Sequence, residues 1–257
     1  MALSILLTIL TICFGHSIGL HRGVIHKSYT TSKAFRNILL YLFVLTGFGG
    51  PLTWLKFHYY RDHWQNKEDC PRYFAYSHSL LKDFVWNLHL VFKPIESSVY
   101  KIPKEDLEDR WLLFLEKTWI LHNIVFAVIL YLLTDLNSIL VLFFLRVSIS
   151  IVAHWYIGYA SHKFGYAHYE VVGAKESGFN DVLLGLISFG EGLHNNHHAF
   201  PKSAKFSARW YEVDFGWYGI ILLERCKLIT NVIRFNEGIK KRNVIKEYDK
   251  IFMKLPL

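Results

Sequence analysis

The sequence predicts an all-α integral membrane protein, with transmembrane helices and a cytoplasmic helical cap that carries a histidine-rich metal site. The 257-residue chain is 52% hydrophobic and 17% aromatic, with a mean hydropathy of +0.21. This is too apolar for an ordinary soluble domain and less apolar than a pure transporter. The chain has 14 histidines, three of which lie within the five residues 194–198. No internal repeat or low-complexity linker divides the chain, so residues 1–257 are predicted to form a single domain.

The predicted membrane spans are the apolar segments 2–18, 111–134 and 138–157. The first segment has no basic residues before it and no small-residue cleavage site after it, which favours a membrane helix over a cleaved signal peptide. The other two are joined by the polar turn 135–137 and form a predicted transmembrane hairpin. The apolar segment 38–55 contains three glycines and Pro51, which indicates a broken or interfacial helix. The charged segment 237–250 is predicted to be a solvated helix.

The distribution of basic residues predicts the orientation of these spans. The net charge is +8, yet no lysine or arginine occurs from Thr118 to Leu145. The positive-inside rule therefore places the hairpin tip outside and every histidine-rich segment in the cytoplasm, at a bacterial inner membrane or the endoplasmic reticulum. No basic run accompanies a nucleic-acid module, so nucleic acid is excluded as a partner. The three cysteines form neither a disulfide framework nor a thiolate metal site.

The strongest chemical signal is the segment 190–198, GEGLHNNHH, which places three imidazoles within five residues. Neutral imidazole is the commonest protein ligand for transition metals. His21 and His26 are spaced so that both can reach one site from a helix, and His58 and His162 follow in other polar segments. Three cysteines without a pattern cannot supply this site, so the sequence predicts a metal centre built from histidine.

These motifs resemble those of the membrane-bound fatty acid desaturases, specifically the delta-9 type that acts on acyl-CoA or acyl-lipids. Residues 19–29 (GLHRGVIHKSY) resemble the first histidine box of that family, and residues 190–201 (GEGLHNNHHAFP) resemble the third. Arg146, Trp155 and His162 fall at the spacings that the family uses where its last membrane helix leads to a further histidine ligand. The resemblance covers nearly the whole chain, and it places an earlier membrane helix before the position at which this sequence starts.

The resemblance implies an oxidoreductase that uses O2 to introduce a cis double bond into a long-chain acyl group at a di-iron centre. Electrons are expected from a separate cytochrome b5 or ferredoxin-type donor, because the chain has no haem, flavin or iron–sulfur motif. Arg146 and Trp155 are the predicted substrate-binding residues. The predicted metal ligands are His21, His26, His58, His162, His194, His197, His198 and Asp62.

The second histidine box departs from the family pattern HxxHH. Here His58 is followed by Arg61 and Asp62 where the family has two further histidines, and His63 is one position out of register. Arginine cannot ligate a metal, whereas the carboxylate of Asp62 can. An asparagine that holds a metal-bound water in the family falls at Gly158.

Two interpretations of the altered box remain open at this stage. Either the missing donors come from elsewhere in a rearranged di-iron site, or the site holds fewer metals; the first is favoured. The candidate donors for the first are His63, His78 and His89.

Three other functions compete with desaturation. A lipid or hydrocarbon hydroxylase or ketolase uses the same metal chemistry and differs only in its product. A metal-free, non-catalytic relative is suggested by Arg61, Asp62 and Gly158. A zinc hydrolase is less favoured. Its usual site needs about three ligands and a general acid or base, whereas this chain offers about twice as many histidines.

Overall fold

The computed structural model describes residues 2–65, 67–90, 102–171, 178–235 and 244–254. It is mostly helical and divides into two compact units. Unit 1 consists of Met1–Phe57, Ile102–Ala153 and Tyr218–Val232, and unit 2 consists of His58–Lys101, His154–Trp217 and Ile233–Leu257.

The helices of the described residues are α1 (Ala2–Ile25), α2 (Lys33–Val44), α3 (Pro51–Gln65), α4 (Leu80–His89), α5 (Lys104–Leu107), α6 (Arg110–Leu133), α7 (Leu136–Ala160), α8 (Val182–Ile187), α9 (His194–Ala199) and α10 (Phe215–Arg225). Within the described residues, three of them (α1, α6 and α7) are long and apolar enough to cross a membrane. They contain the three apolar segments that hydropathy selects.

Short polar side chains cap the N-termini of several of these helices. Ser32 accepts a hydrogen bond from the backbone N–H of Phe35 at 3.2 Å, and Asp109 accepts from two N–H groups at the start of α6 at 2.9 Å each. Asp135 begins α7 in the same way, accepting from the N–H of Ser138 at 2.9 Å. Such N-caps satisfy backbone donors that have no partner inside the helix, which is why the chain turns into helix at these positions.

The apolar segment 38–55 contains a break between α2 and α3. Gly47 and Gly49 have φ values of +79° and +103°, which L side chains rarely adopt, and Pro51 is the first residue of α3. Glu116 on α6 then accepts hydrogen bonds from the backbone N–H groups of Leu52 and Thr53 at 2.8 and 3.0 Å. The start of α3 is therefore capped by a carboxylate from another helix of unit 1.

The prediction of an all-α fold is wrong in one respect, because the chain also forms two antiparallel two-stranded sheets. In unit 1, β1 (Thr30–Thr31) pairs with β3 (Ile229–Thr230). In unit 2, β2 (Gly165–Val171) pairs with β4 (Val244–Lys254), with Tyr166 opposite Met253. The predicted C-terminal helix over 237–250 is therefore corrected for residues 244–250, which lie in a strand; residues 237–243 are outside the described residues.

Candidate metal centre

The histidines of the third box lie on α9, and the turn that leads into this helix requires glycine. Phe189 and Gly190 both have positive φ, +59° and +98°. A Cβ added to Gly192 would lie 2.5 Å from the backbone of α8, at Gly185 N and Leu184 C. Only glycine permits this close approach. Gly192 therefore allows the turn before α9 to pack directly against the backbone of α8.

The two asparagines between the histidines hold α9 in place. Asn195 accepts hydrogen bonds from the backbone N–H groups of His168 and Tyr169 at 2.8 and 2.9 Å, and donates to the carbonyl of Tyr169 at 2.8 Å. Asn196 donates to Glu212 Oε2 at 3.0 Å and accepts from Asn180 at 2.9 Å. All these groups are buried, so α9 is fixed by a satisfied polar network within unit 2.

Glu212 is the charged centre of that network. Its Oε1 accepts from Tyr166 Oη at 2.8 Å and from His168 Nε2 at 3.1 Å, and its Oε2 accepts from two backbone N–H groups as well as from Asn196. Burial raises the pKa of Glu212, but these hydrogen bonds, led by that from His168, outweigh burial and hold it below its ordinary value. Glu212 is therefore a carboxylate at neutral pH.

A triad of imidazoles lies next to this frame in unit 2, formed by His162, His194 and His198. Their potential ligand atoms all lie within 4.8 Å of one another, and the ring centroids of His194 are 4.5 Å from His162 and 4.4 Å from His198. His162 Nδ1 lies 2.6 Å from the carbonyl oxygen of Gly158. Since a carbonyl only accepts, Nδ1 carries the proton and Nε2 keeps a lone pair that can bind a metal.

Electrostatics keep His162 and His198 neutral. Burial, followed by the charges of His198 and Arg61, holds the pKa of His162 well below its ordinary value. Burial lowers the pKa of His198 to about 4. Neutral imidazole is the form that ligates metals, so these two rings can bind a cation at neutral pH without first losing protons.

His58 and His197 form a second group in unit 2, with potential ligand atoms within 4.8 Å of each other. His58 Nδ1 lies 3.2 Å from a carboxylate oxygen of Asp62, one helical turn further along α3. Burial, followed by the charge of Arg61, holds the pKa of His58 well below its ordinary value. Asp62 belongs to neither histidine group of unit 2; its carboxylate instead lies beside the ring of His58.

Unit 1 contributes the first box at the end of α1. His21 and His26 have potential ligand atoms within 4.8 Å of each other, and their ring centroids are 4.7 Å apart. Both rings are buried. His16 stacks on His21 at 6.1 Å and meets the ring of Trp54 edge-on at 4.8 Å, so the first box lies in an aromatic shell of the same unit.

None of the three candidate replacement donors belongs to a histidine group that can hold a metal, within the described part of the chain. His78 Nε2 instead lies 2.5 Å from a carboxylate oxygen of Asp83, and the rings of His63 and His89 lie against Trp64 and Phe84. Asp83 is thus a buried carboxylate that contacts a histidine ring, and no sequence motif indicated it.

Both predicted substrate-binding residues donate hydrogen bonds to acceptors within the protein. Arg146 donates to the carbonyls of Leu142 and Leu45 at 2.9 and 3.2 Å, and to Thr11 Oγ1 at 3.0 Å. Trp155 donates from Nε1 to Asp83 Oδ1 at 2.7 Å. A phosphate-bearing head group has to compete with the three acceptors of Arg146.

The described residues thus combine histidine clusters that could hold a metal with apolar helices long enough to cross a membrane. The family model for fatty acid desaturase matches residues 1–219 of this chain. The sn-1 stearoyl-lipid 9-desaturase of Anabaena variabilis is 32% identical over 222 residues, which cover 85% of this chain and 78% of the relative.

Two further relatives have different substrates in their names. The sn-2 palmitoyl-lipid 9-desaturase of Nostoc sp. is 30% identical over 225 residues, covering 85% of this chain and 76% of the relative. The acyl-CoA 5-desaturase AL21 of Anemone leveillei is 28% identical over 248 residues, covering 93% and 74%.

The chain belongs to the fatty acid desaturase family. It is thus an oxidoreductase that desaturates fatty acyl groups, which confirms the activity predicted from the histidine boxes. Membership in this family and three apolar helices together associate it with a membrane. The histidine clusters fit the metal centre that the family implies.

Proposed function

We propose that this chain introduces a cis double bond into a long-chain acyl group, carried by an acyl-lipid or acyl-CoA, at two irons bound by histidine. The observation that carries the proposal is the close grouping of His162, His194 and His198, together with the family to which the chain belongs. The proposed iron ligands are His21, His26, His58, His162, His194, His197 and His198.

The donor set suits iron for a chemical reason. An alkyl C–H bond is not acidic enough for any side-chain base, so the hydrogens must be removed by a redox-active metal using O2 and external electrons. Iron bound by imidazole supplies that oxidising power. Zinc has no redox chemistry, so a zinc site cannot support this reaction.

The residues around the histidines keep the site in one geometry. The carbonyl of Gly158 orients the His162 ring, so that its Nε2 points the lone pair away from the anchoring group, and the carboxylate of Asp62 lies 3.2 Å from His58 Nδ1 and restricts that ring. Asn195 and Asn196 fix the α9 backbone that carries His194, His197 and His198. In this proposal Asp62 acts through His58, and its carboxylate remains a candidate for direct ligation.

The substrate and partners follow from the relatives and from the apolar composition. The relatives are named for stearoyl-lipid, palmitoyl-lipid and acyl-CoA substrates, which supports a long acyl chain as the common element. Such a chain is most soluble among the apolar helices α1, α6 and α7. We propose a multi-pass topology with the histidines on the cytoplasmic side, where a cytochrome b5 or ferredoxin-type donor delivers electrons.

Arg146 and Trp155 remain proposed substrate contacts. Arg146 is buried and its side chain already donates to three protein acceptors. To hold a head group, it must exchange one of these hydrogen bonds for a bond to the substrate. Trp155 presents an aromatic face in contact with Phe84, at 5.0 Å between ring centroids, which is a suitable surface for an alkyl chain.

The fatty acid profile of a host that expresses the full chain and a compatible electron donor tests this proposal. The wild-type chain is expected to produce a new monounsaturated species, and His197→Ala is expected to abolish it because a metal ligand is lost. His122→Ala is the matched control, since His122 lies on α6 and its ring nitrogen meets Thr118 Oγ1 at 3.0 Å. A hydroxylated or oxo product would favour the hydroxylase or ketolase alternative, and equal activity in wild type and His197→Ala would contradict the proposed ligand set.

A further inference from the structure

The last residue of α3 is a buried glutamine beside the histidine triad. Gln65 is 2% exposed, and it is the single glutamine in the chain. It follows His58 by seven residues, so the two side chains lie on the same face of α3, two turns apart. The helix that has Arg61 and Asp62 in place of two imidazoles thus presents one more polar donor at its end.

The carboxamide of Gln65 meets the ligand atom of the triad directly. Gln65 Nε2 lies 3.2 Å from His162 Nε2, the nitrogen that keeps the lone pair. Two donors bound to one metal at bond lengths of about 2.1 Å lie roughly 3 Å apart when they are adjacent. A turn of the carboxamide that exchanges Nε2 with Oε1 would therefore bring Oε1 to the separation from His162 that neighbouring ligands of one ion require.

The carbonyl oxygen of this amide is not satisfied by the protein. Gln65 Oε1 is buried and has no hydrogen-bond partner in the described part of the chain. A buried carbonyl without a partner is destabilising, so its retention calls for a ligand. The other contact of the amide, from Nε2 to the carbonyl of Phe74, is 3.4 Å long, beyond the usual range of about 2.7–3.2 Å. That contact is weak enough for the amide to turn when a cation binds.

We propose that Gln65 is a fourth protein ligand, through Oε1, to the metal bound by His162, His194 and His198. The inference rests on the proposed metal centre and assigns to it a residue that no histidine box contains. The reason for a new donor is local: Arg61 cannot ligate, and Gly158 has no side chain to hold a metal-bound water. An amide oxygen is a neutral, hard donor that suits iron and adds no charge to a site already near Arg61.

The test is Co²⁺ binding to the purified full-length chain, followed by the visible absorption of the bound ion, which changes with coordination number. A His58→Ala background isolates the triad from the other histidine group of unit 2. In that background Gln65→Leu is expected to weaken Co²⁺ binding by at least the roughly 10- to 100-fold that loss of an outer-shell partner costs, and to change the absorption spectrum. Gln65→Glu is expected to restore binding, because it keeps an oxygen donor at the same position.

Asn123→Leu is the matched control for loss of a buried amide. Asn123 lies on α6 in unit 1, is 7% exposed, and also has an amide oxygen with no described hydrogen-bond partner. It is expected to leave the Co²⁺ spectrum unchanged. An unchanged spectrum and affinity in Gln65→Leu would overturn the assignment of Gln65 alone. Failure of the wild-type chain to bind Co²⁺ would overturn the proposed metal centre, and the assignment of Gln65 with it.

Discussion

The second and third histidine boxes position their imidazoles in different ways. On α9, Asn195 and Asn196 lie between His194 and His197 with both amides hydrogen-bonded, and Glu212 anchors the helix through Asn196. On α3, His58 is the one histidine that belongs to a metal-binding group in the described residues, and it is held by a partly exposed neighbour, Asp62. The third box is a rigid frame, whereas the second is a short set of donors on one helix face.

The difference shows where substitution is tolerated. The proposed ligands on α9 are supported by buried side chains that each form further hydrogen bonds. A substitution in this network therefore leaves several polar groups without partners. A ligand on α3 depends on its position on the helix face, so donors can be exchanged between positions 58, 62 and 65 without disturbing the rest of unit 2. The altered second box is in this account a relocation of ligands.

The largest effect is expected from breaking the frame at Glu212. Glu212→Leu removes an acceptor from five hydrogen bonds and leaves buried donors unpaired, each costing about 1–3 kcal/mol, so little folded protein is expected. Glu212→Gln is expected to fold, because its NH2 can face Tyr166 Oη and His168 Nε2, both of which can accept. Thermal unfolding in detergent measures the difference. Equal melting of the Leu and Gln variants would contradict the role of the network.

A smaller effect is expected from Asp62 on the second box. Asp62→Ala removes the carboxylate beside His58 Nδ1 and is expected to lower product formation by roughly 10- to 100-fold, as for other groups next to a metal ligand. Asp62→Asn keeps an oxygen acceptor and is expected to retain most activity. Fatty acid analysis of matched cultures measures both, and full activity in Asp62→Ala would remove Asp62 from the metal site altogether.

The smallest effect is expected from His63. Its ring packs edge-on against Trp64 at 5.2 Å, and it lies in neither histidine group of unit 2. His63→Ala is therefore expected to leave the iron content of the purified protein unchanged. Loss of iron in that variant would show that His63 is one of the donors that replace the missing imidazoles. The second box would then include His63, and its comparison with the third box would change.

Hydropathy predicted the long helices because their apolar runs are continuous. It placed the end of the first span at residue 18, whereas α1 continues to Ile25, since His21 and Arg22 are polar yet buried. The sheet between β2 and β4 was missed because β4 is highly charged and its partner lies far away in the sequence.

The histidines of the site were visible in the sequence because clustered imidazole has few other uses. Their supports were not, since Glu212 and Asn180 join Asn196 from positions 16 residues away on either side. Gln65 was missed for the same reason: a lone glutamine among charged residues is typical of a surface, and only the fold shows that it is buried beside His162.

The central claim is that histidine boxes of two different kinds together bind two irons. The most direct test is the iron content of the purified full-length chain, measured by elemental analysis after reconstitution with Fe²⁺ and removal of loosely bound metal. The account predicts about two irons per chain in the wild type and a lower content in His194→Ala, which loses a ligand of the triad. A wild-type protein that retains one iron or none would contradict it.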